Sequence, residues 1–294
     1  IEYITDKKQE KKLLLINEYS YNLANVTLNE MPNFIIKGIE NIFQVKAAIL
    51  TEYDELKSEI HIKKTNFSKK EISDIKNKLK LNINNFKIKI SKKEYNLIFN
   101  ERYQKYSSFN FLTFGLITKE QNDFIMKFLD IKWIVSLSLI VSEKLLGTIV
   151  LIGDSNSILP QKSFLLTFSS ITSNAISKKL YEFQLSTEEK RYKEIFNFVT
   201  DAILVIDINS KKIIKYNNSF LHLFGYNIKE LKNKSIYDLN IFIEDDEFDT
   251  LITKSKHIKK YDVLLKKKSE VSFWAEVSIR FIRISNKDIG IITI

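Results

Sequence analysis

Between Pro160 and Asp201 the chain has neither proline nor glycine, and apolar residues return at helical spacing through Leu165, Phe168, Ile171, Ala175, Leu180 and Phe183. The periodicity predicts a helix, continuous or nearly so, from about residue 161 to about residue 199. A rod of that length joins two domains and is itself a mechanical element. The 294 residues suffice for two ordinary domains, and a hydrophobic content of 44% supplies a core for each.

Ahead of the rod, apolar residues recur at helical spacing from Lys7 to Phe43, with a break at Pro32 that suits the first turn of a second helix. Residues 45–53 and 56–64 read as paired strands about Asp54-Glu55, 69–81 as a helix capped by Ser68 with Glu71 three residues on, and 86–90 as a short strand. The aromatic stretch 94–116 gives no clear period. Thr118 and Gln121 make a second capping pair, opening a helix to Asp130. The run 133–153 is apolar enough for a membrane span, but Glu143-Lys144 at its centre would be costly there, and two strands joined by a turn avoid that cost.

Beyond Asp201 short strands and short helices take over. Residues 203–207 and 213–216 form a hairpin over Ile208-Asn209-Ser210-Lys211. Asn217 caps a short helix ending at Gly225, and Asn227 with Glu230 caps another. Residues 243–255 read as helix, and 261–265, 271–284 and 288–294 as strands. In the longest, Val271, Phe273, Ala275, Val277, Ile279 and Phe281 form the core-facing set. The expected fold class is α+β: two domains, each a central antiparallel sheet flanked by helices, joined by a long helix.

The residues of the second module resemble the PAS family. DAILVID from Asp201, IIKYNNSF from Ile213, LFGYNIKEL from Leu223, YDVLLKKK from Tyr261 and VSFWAEVSIR from Val271 follow the family's order over residues 190–294. The family's Asp-Gly turn before the long strand is replaced by Lys268-Ser269-Glu270, and its Asp-Ile-Thr trio after the last strand is absent, because the sequence stops at Ile294. WIVSLSLIV from Trp133, KLLGTIVLI from Lys144 and AISKKL from Ala175 resemble a GAF domain, in which a strand, a turn and a glycine-containing strand precede a long exit helix. These resemblances divide the chain into a helical lead-in (1–12), a GAF-like domain with its exit helix (13–184) and a PAS domain cut at its last strand (185–294). The opening Ile1, with no initiator Met or signal peptide, implies a piece of a longer protein.

GAF followed by PAS through a helix is similar to the sensory region of two-component sensor histidine kinases. That resemblance implies a cytoplasmic fragment that binds or relays a small-molecule or redox signal and controls a C-terminal effector, a histidine kinase in a phosphorelay, with a response regulator reached through that effector. The alternative is a noncatalytic interaction or ligand-binding module of a cyclic-dinucleotide synthase or transcription regulator. The candidate PAS cavity lies between the sheet and the helices, lined by Phe220, Phe224, Leu251, Val263, Phe273 and Val277. A homodimer through helices would bring Leu180, Phe183, Ile195 and Val199 against a second copy.

The remaining chemistry is mostly excluded. Without cysteine there is no disulfide framework, thiolate zinc site, covalent bilin or photoreactive flavin of the Asn-Cys-Arg type. Haem is disfavoured because His257 falls too close to the strand at Tyr261 to match the ligand position of oxygen-sensing PAS domains. The histidines at 61, 222 and 257 lack metal-ligand spacing, and Glu244-Asp245-Asp246-Glu247 with Asp249 reads as a helix N-terminus complementing the dipole. His222, on a short apolar helix, is expected to be a partly buried structural histidine. No nucleotide-binding glycine motif is present. The net charge is +10, yet arginine stands only at 102, 191, 280 and 283, which argues against a nucleic-acid partner.

Gly153-Asp154-Ser155 after an apolar strand resembles the nucleophile block of GDS-type esterases, a minor alternative. That family takes its base from Asp-x-x-His, whereas Ser58, Ser219 and Lys254 precede the three histidines here, and Glu120 stands where the oxyanion block needs glycine. Ser155 is therefore expected to be a turn residue, and no catalytic residue is assigned.

Overall fold

The computed structural model describes the backbone of residues 2–243, 247–254 and 260–294 and, of these, all side chains except those of 2–9, 84, 247, 251, 253 and 254. The chain divides into two compact units, Ile1–Gln184 and Leu185–Ile294. Helix α7 (Lys162–Phe198) begins in the first and ends in the second.

In the first unit α1 (Glu2–Leu23) and α2 (Met31–Phe43) precede β1 (Ala47–Asp54) and β2 (Glu59–Thr65). α3 (Lys69–Leu79), β3 (Lys87–Lys89), α4 (Lys92–Asn100), β4 (Tyr103–Tyr106), α5 (Phe109–Leu112) and α6 (Lys119–Phe128) follow, then the hairpin β5 (Trp133–Val141) and β6 (Lys144–Gly153). The six strands pair in the order β3-β2-β1-β6-β5-β4, antiparallel throughout.

Both faces of this sheet are covered. Val135, Leu137 and Leu139 of β5 with Ile149 and Leu151 of β6 join the core made by α1, α2 and the start of α7, while Ile134, Val150 and Ile152 join that under α3, α5 and α6. A strand buried on both faces has no polar side, which is why 133–153 reads as one apolar run. Its two charges sit at the bend, where Ser142 and Glu143 take φ 47° and 64°, the left-handed pair of a two-residue hairpin turn. Tyr19 links the helical layer: its ring stacks on Phe168 at 4.4 Å and its hydroxyl lies 2.9 Å from that of Thr172. Among the described residues no helix is long and apolar enough to cross a membrane.

The expected caps at Ser68/Glu71, Thr118/Gln121 and Asn227/Glu230 are all reciprocal capping boxes. A fourth, Ser91 with Glu94, opens α4 inside the stretch that periodicity leaves undefined. α1 runs unbroken through residues 12 and 13, so the backbone has no break at the end of the expected lead-in. β2 begins at Glu59 rather than 56, because Lys57 N donates to Asp54 Oδ1 (3.1 Å) and Ser58 turns left-handed (φ 54°), which keeps 55–58 in the turn.

The second unit comprises β7 (Ile203–Asp207), β8 (Ile213–Tyr216), α8 (Asn218–Phe224), α9 (Ile228–Leu231), α10 (Glu247–Lys254), β9 (Lys260–Lys266), β10 (Ser272–Ile284) and β11 (Lys287–Thr293). Its strands pair in the order β8-β7-β11-β10-β9, antiparallel throughout. Phe220, Phe224, Leu231 and Phe248 from the helices meet Leu204, Ile206, Val263, Leu265, Val277, Ile279 and Ile292 from the strands in one buried core. α8 ends at Gly225, whose φ of 75° favours a residue without Cβ. The inward alternation of β10 holds at its middle, where Val277 and Ile279 are buried; Val271, ahead of the strand, and Phe281 near its far end are exposed, correcting the expected set at both ends. In the turn before β10 the left-handed position belongs to Glu270 (φ 67°).

Candidate functional site

The first unit contains a cavity of about 100 Å³ between its sheet and the layer of α3, α5 and α6. Its floor is the strand face bearing Ile49 and Thr51 of β1, Thr148 and Val150 of β6 and Ser136 of β5; Ile75, Phe86, Phe109, Phe114 and Ile125 are among the residues that close it. No lining residue is charged. Thr51 and Thr148 satisfy each other, with their hydroxyls 2.9 Å apart and Thr148 N donating to Thr51 Oγ1 at 2.9 Å. Thr113 Oγ1 donates to Phe109 O at 2.7 Å, and the Tyr106 hydroxyl donates to Gln104 Oε1. Burial pushes Tyr106 up to about 12, so it lines the cavity as a neutral phenol at physiological pH. Ser136 is buried, and its hydroxyl has no hydrogen-bond partner among the described residues.

In the second unit Phe220, Phe224, Val263 and Val277 lie together in the buried core, and Phe273 packs against it. Ring centroids stand 4.8 Å apart for Phe220–Phe224 and 5.9 Å for Phe224–Phe273. The Leu251 side chain is outside the described residues, as are Glu244-Asp245-Asp246, the Glu247 side chain and His257.

Asn217 does more than cap α8. It is fully buried, and its Oδ1 accepts from Phe220 N (3.0 Å) and from Ile203 N at the start of β7 (2.9 Å). Its Nδ2 donates to Asp201 O at 2.8 Å and reaches Val199 O at 3.4 Å, and Ser219 Oγ donates to Val199 O at 2.6 Å. Asn218 N also donates to Asn197 Oδ1 at 3.3 Å. The C-terminal end of α7 is therefore held by side chains of the second unit's first strand-to-helix corner. Lys215 Nζ adds a cation–π contact over the Tyr192 ring, 4.2 Å from its centroid. Of the proposed contact residues, Leu180, Phe183 and Ile195 on α7 are exposed, and Val199, just past its end, is half-buried.

Ser155 lies in the loop between β6 and α7, where its hydroxyl donates to Asp130 Oδ2. That bond, with Lys132 beside it, holds the Asp130 carboxyl below the usual carboxylate range. Asp154 Oδ1 accepts from Asn156 N (3.1 Å) and Ser157 Oγ (2.7 Å), a side-chain-stabilised turn. Ser155→Ala is expected to leave any activity of the parent protein unchanged, and a phosphonate probe is expected to leave Ser155 unlabelled; labelling there would restore the esterase alternative. His222 corrects an expectation: it is exposed, because α8 buries Phe220 and Phe224 and position 222 falls on the far side of that stripe. His61 Nε2 lies 3.2 Å from Glu59 Oε2, and among the described residues no group of three or more His, Asp or Glu could hold a metal ion.

No curated protein matches the chain. The PAS domain of an HTR-like protein from Haloarcula marismortui is 20% identical, over 39% of this chain and 96% of that one, with a TM-score of 0.36. A PAS domain from a two-component sensor histidine kinase is 14% identical, over 37% and 95%, with a TM-score of 0.32. The E. coli DhaR(N)-DhaL complex is similar over 100% of this chain and 89% of that one at 12% identity, with a TM-score of 0.44. The family model described as PAS domain matches residues 200–294, so the C-terminal unit carries a PAS domain.

Proposed function

We propose that the chain is a cytoplasmic sensory fragment of a two-component histidine kinase, in which a GAF-like domain (13–184) receives a small molecule and α7 passes the change to the PAS domain (185–294). The observation that carries this reading is the held end of α7. A helix rooted in the core of one unit by Phe164, Leu165 and Phe168 runs into Val199, the residue just past its end, whose carbonyl accepts from Asn217 and Ser219 of the other. A shift of the helix therefore strains the first strand and helix of the PAS domain directly, and a ligand that binds one helix position better than another biases that element. The cavity beneath the first unit's sheet supports the small-molecule part of the reading, and the PAS match supports the signalling part.

The helix also supports a homodimer. From Leu180 to Phe198 it exposes Leu180, Tyr181, Phe183, Leu185, Tyr192, Ile195 and Phe198, a run of large apolar side chains of the kind that marks an interaction surface. In light scattering the chain is expected at twice its monomer mass, and Leu180→Glu with Ile195→Glu at the monomer mass. A native chain that stays monomeric at high concentration removes the dimer. The effector is tested on the gene. A reading frame that continues past Ile294 into a helix bearing His-Glu and an Asn- and Gly-rich ATP-binding region supports the kinase, and any other effector overturns it.

A further inference from the structure

The cavity of the first unit limits what it can hold. None of its lining residues carries a charge, so a phosphate or carboxylate would be desolvated there without a counter-ion. An apolar cavity of about 150 Å³ takes up benzene. At about 100 Å³ this one is of the same order and suits a molecule of no more than about benzene's size. Of its five polar lining residues, Thr51, Thr148, Thr113 and Tyr106 already have protein partners for their hydroxyls. The Ser136 hydroxyl does not; the residue is 7% exposed, but its oxygen is not among the fully buried unpaired atoms, so it keeps accessible surface and is open to a bound polar atom.

We propose that the cavity binds a neutral, mainly apolar molecule of about four to six non-hydrogen atoms, with one polar group that hydrogen-bonds the Ser136 hydroxyl. This rests on the sensory reading above and specifies its ligand class. Ser136 pairs with Val150 across β5 and β6, and Val150 pairs with Ile49 on β1, so the anchor sits on the central strands of the sheet. The molecule is held by apolar contact on its sides and by one hydrogen bond at the floor.

The test uses the full 294-residue chain and three size-matched probes: cyclopentane, cyclopentanol and isobutyrate. Thermal unfolding of the first unit is followed through Trp133, since a ligand that binds only the folded state raises its midpoint. Cyclopentane and cyclopentanol are expected to give saturable shifts, and isobutyrate none. Ser136→Ala is expected to weaken cyclopentanol about tenfold and to change cyclopentane by less than about twofold. Val150→Phe, which fills the space, is expected to abolish both. If it fails to fold, the Ser136→Ala difference still decides the matter. Isobutyrate binding that Val150→Phe blocks would overturn the ligand class and leave the sensory reading standing. If none of the probes binds and signalling of the parent protein is unchanged by Val150→Phe, the class and the sensory role of this cavity fall together. An unchanged cyclopentanol affinity in Ser136→Ala overturns the anchor.

Discussion

Asn217→Ala is expected to destabilise the PAS domain by about 3–5 kcal/mol, a large part of a domain's ordinary margin of about 5–15 kcal/mol. The side chain is fully buried and serves four backbone groups: the amides of Ile203 and Phe220 and the carbonyls of Asp201 and Val199. Alanine leaves the buried Phe220 amide and the half-buried Ile203 amide without their acceptor, at about 1–3 kcal/mol for each unpaired group, and removes the cap of α8. Ser219→Ala, which deletes one hydrogen bond to Val199 O, is the control and is expected to cost about 1 kcal/mol. Urea unfolding with hydrogen exchange read at the Ile203 and Phe220 amides checks both values. A loss below about 1 kcal/mol for Asn217→Ala would mean that the corner is held by other contacts and that the proposed latch on α7 is slack.

Much of this architecture is legible from local rules. Three capping boxes, the absence of Gly and Pro through α7, and the hairpin turn at the centre of 133–153 each follow from a few adjacent residues, whereas the fourth box, Ser91 with Glu94, emerges only in the structure. Elsewhere element length and non-local packing decide. The span 94–116 mixes α4, β4 and α5 in pieces of nine, four and four residues, too short for a period to emerge. The apolar neighbours of His222 suggest burial, but a helix of seven residues buries only one stripe, and which stripe depends on the sheet it meets.

The site was legible only in fragments. Ser136 and Ser138 stand at core-facing positions of an otherwise apolar strand, and that contrast is the one sequence signal of a cavity floor. Serine at such a position equally serves the protein itself: Ser138 Oγ donates to Ile98 O at 2.6 Å, while Ser136 finds no such partner. The distinction depends on a residue 40 positions away in sequence. Asn217 was legible as a helix cap, because capping is local; its bonds to Ile203, Asp201 and Val199 depend on the hairpin folding back, which no spacing rule encodes.

Gly147→Ala is expected to abolish folding of the first unit while leaving the PAS domain intact. A Cβ at this position would stand 2.1 Å from the carbonyl oxygen of Thr51, 2.8 Å from its carbonyl carbon and 2.9 Å from Glu52 Cα. All three are backbone atoms of β1, so no rotamer change relieves the clash; β1 must move away from β6. That movement opens the central pair of the sheet, where Leu50 faces Ile149 and the Thr51 and Thr148 hydroxyls meet. The close approach is produced by a bulge: Leu139 pairs with Gly147 but Ile140 with Leu145, and the extra residue, Leu146, bends β6 toward its neighbour. Separating two central strands costs more than about 4 kcal/mol, the range reserved for core disruption. Trp133, whose indole Nε1 donates to Ser157 O at 3.2 Å in the same unit, reports the loss: its fluorescence in the variant is expected to resemble the unfolded chain before any denaturant is added. Hydrogen exchange protection of β9–β11 is expected to be unchanged, since the PAS domain has a core of its own. A cooperative Trp133 transition at the native midpoint would mean that β6 can carry a side chain at this point, and that the bulge, rather than the glycine, sets the approach.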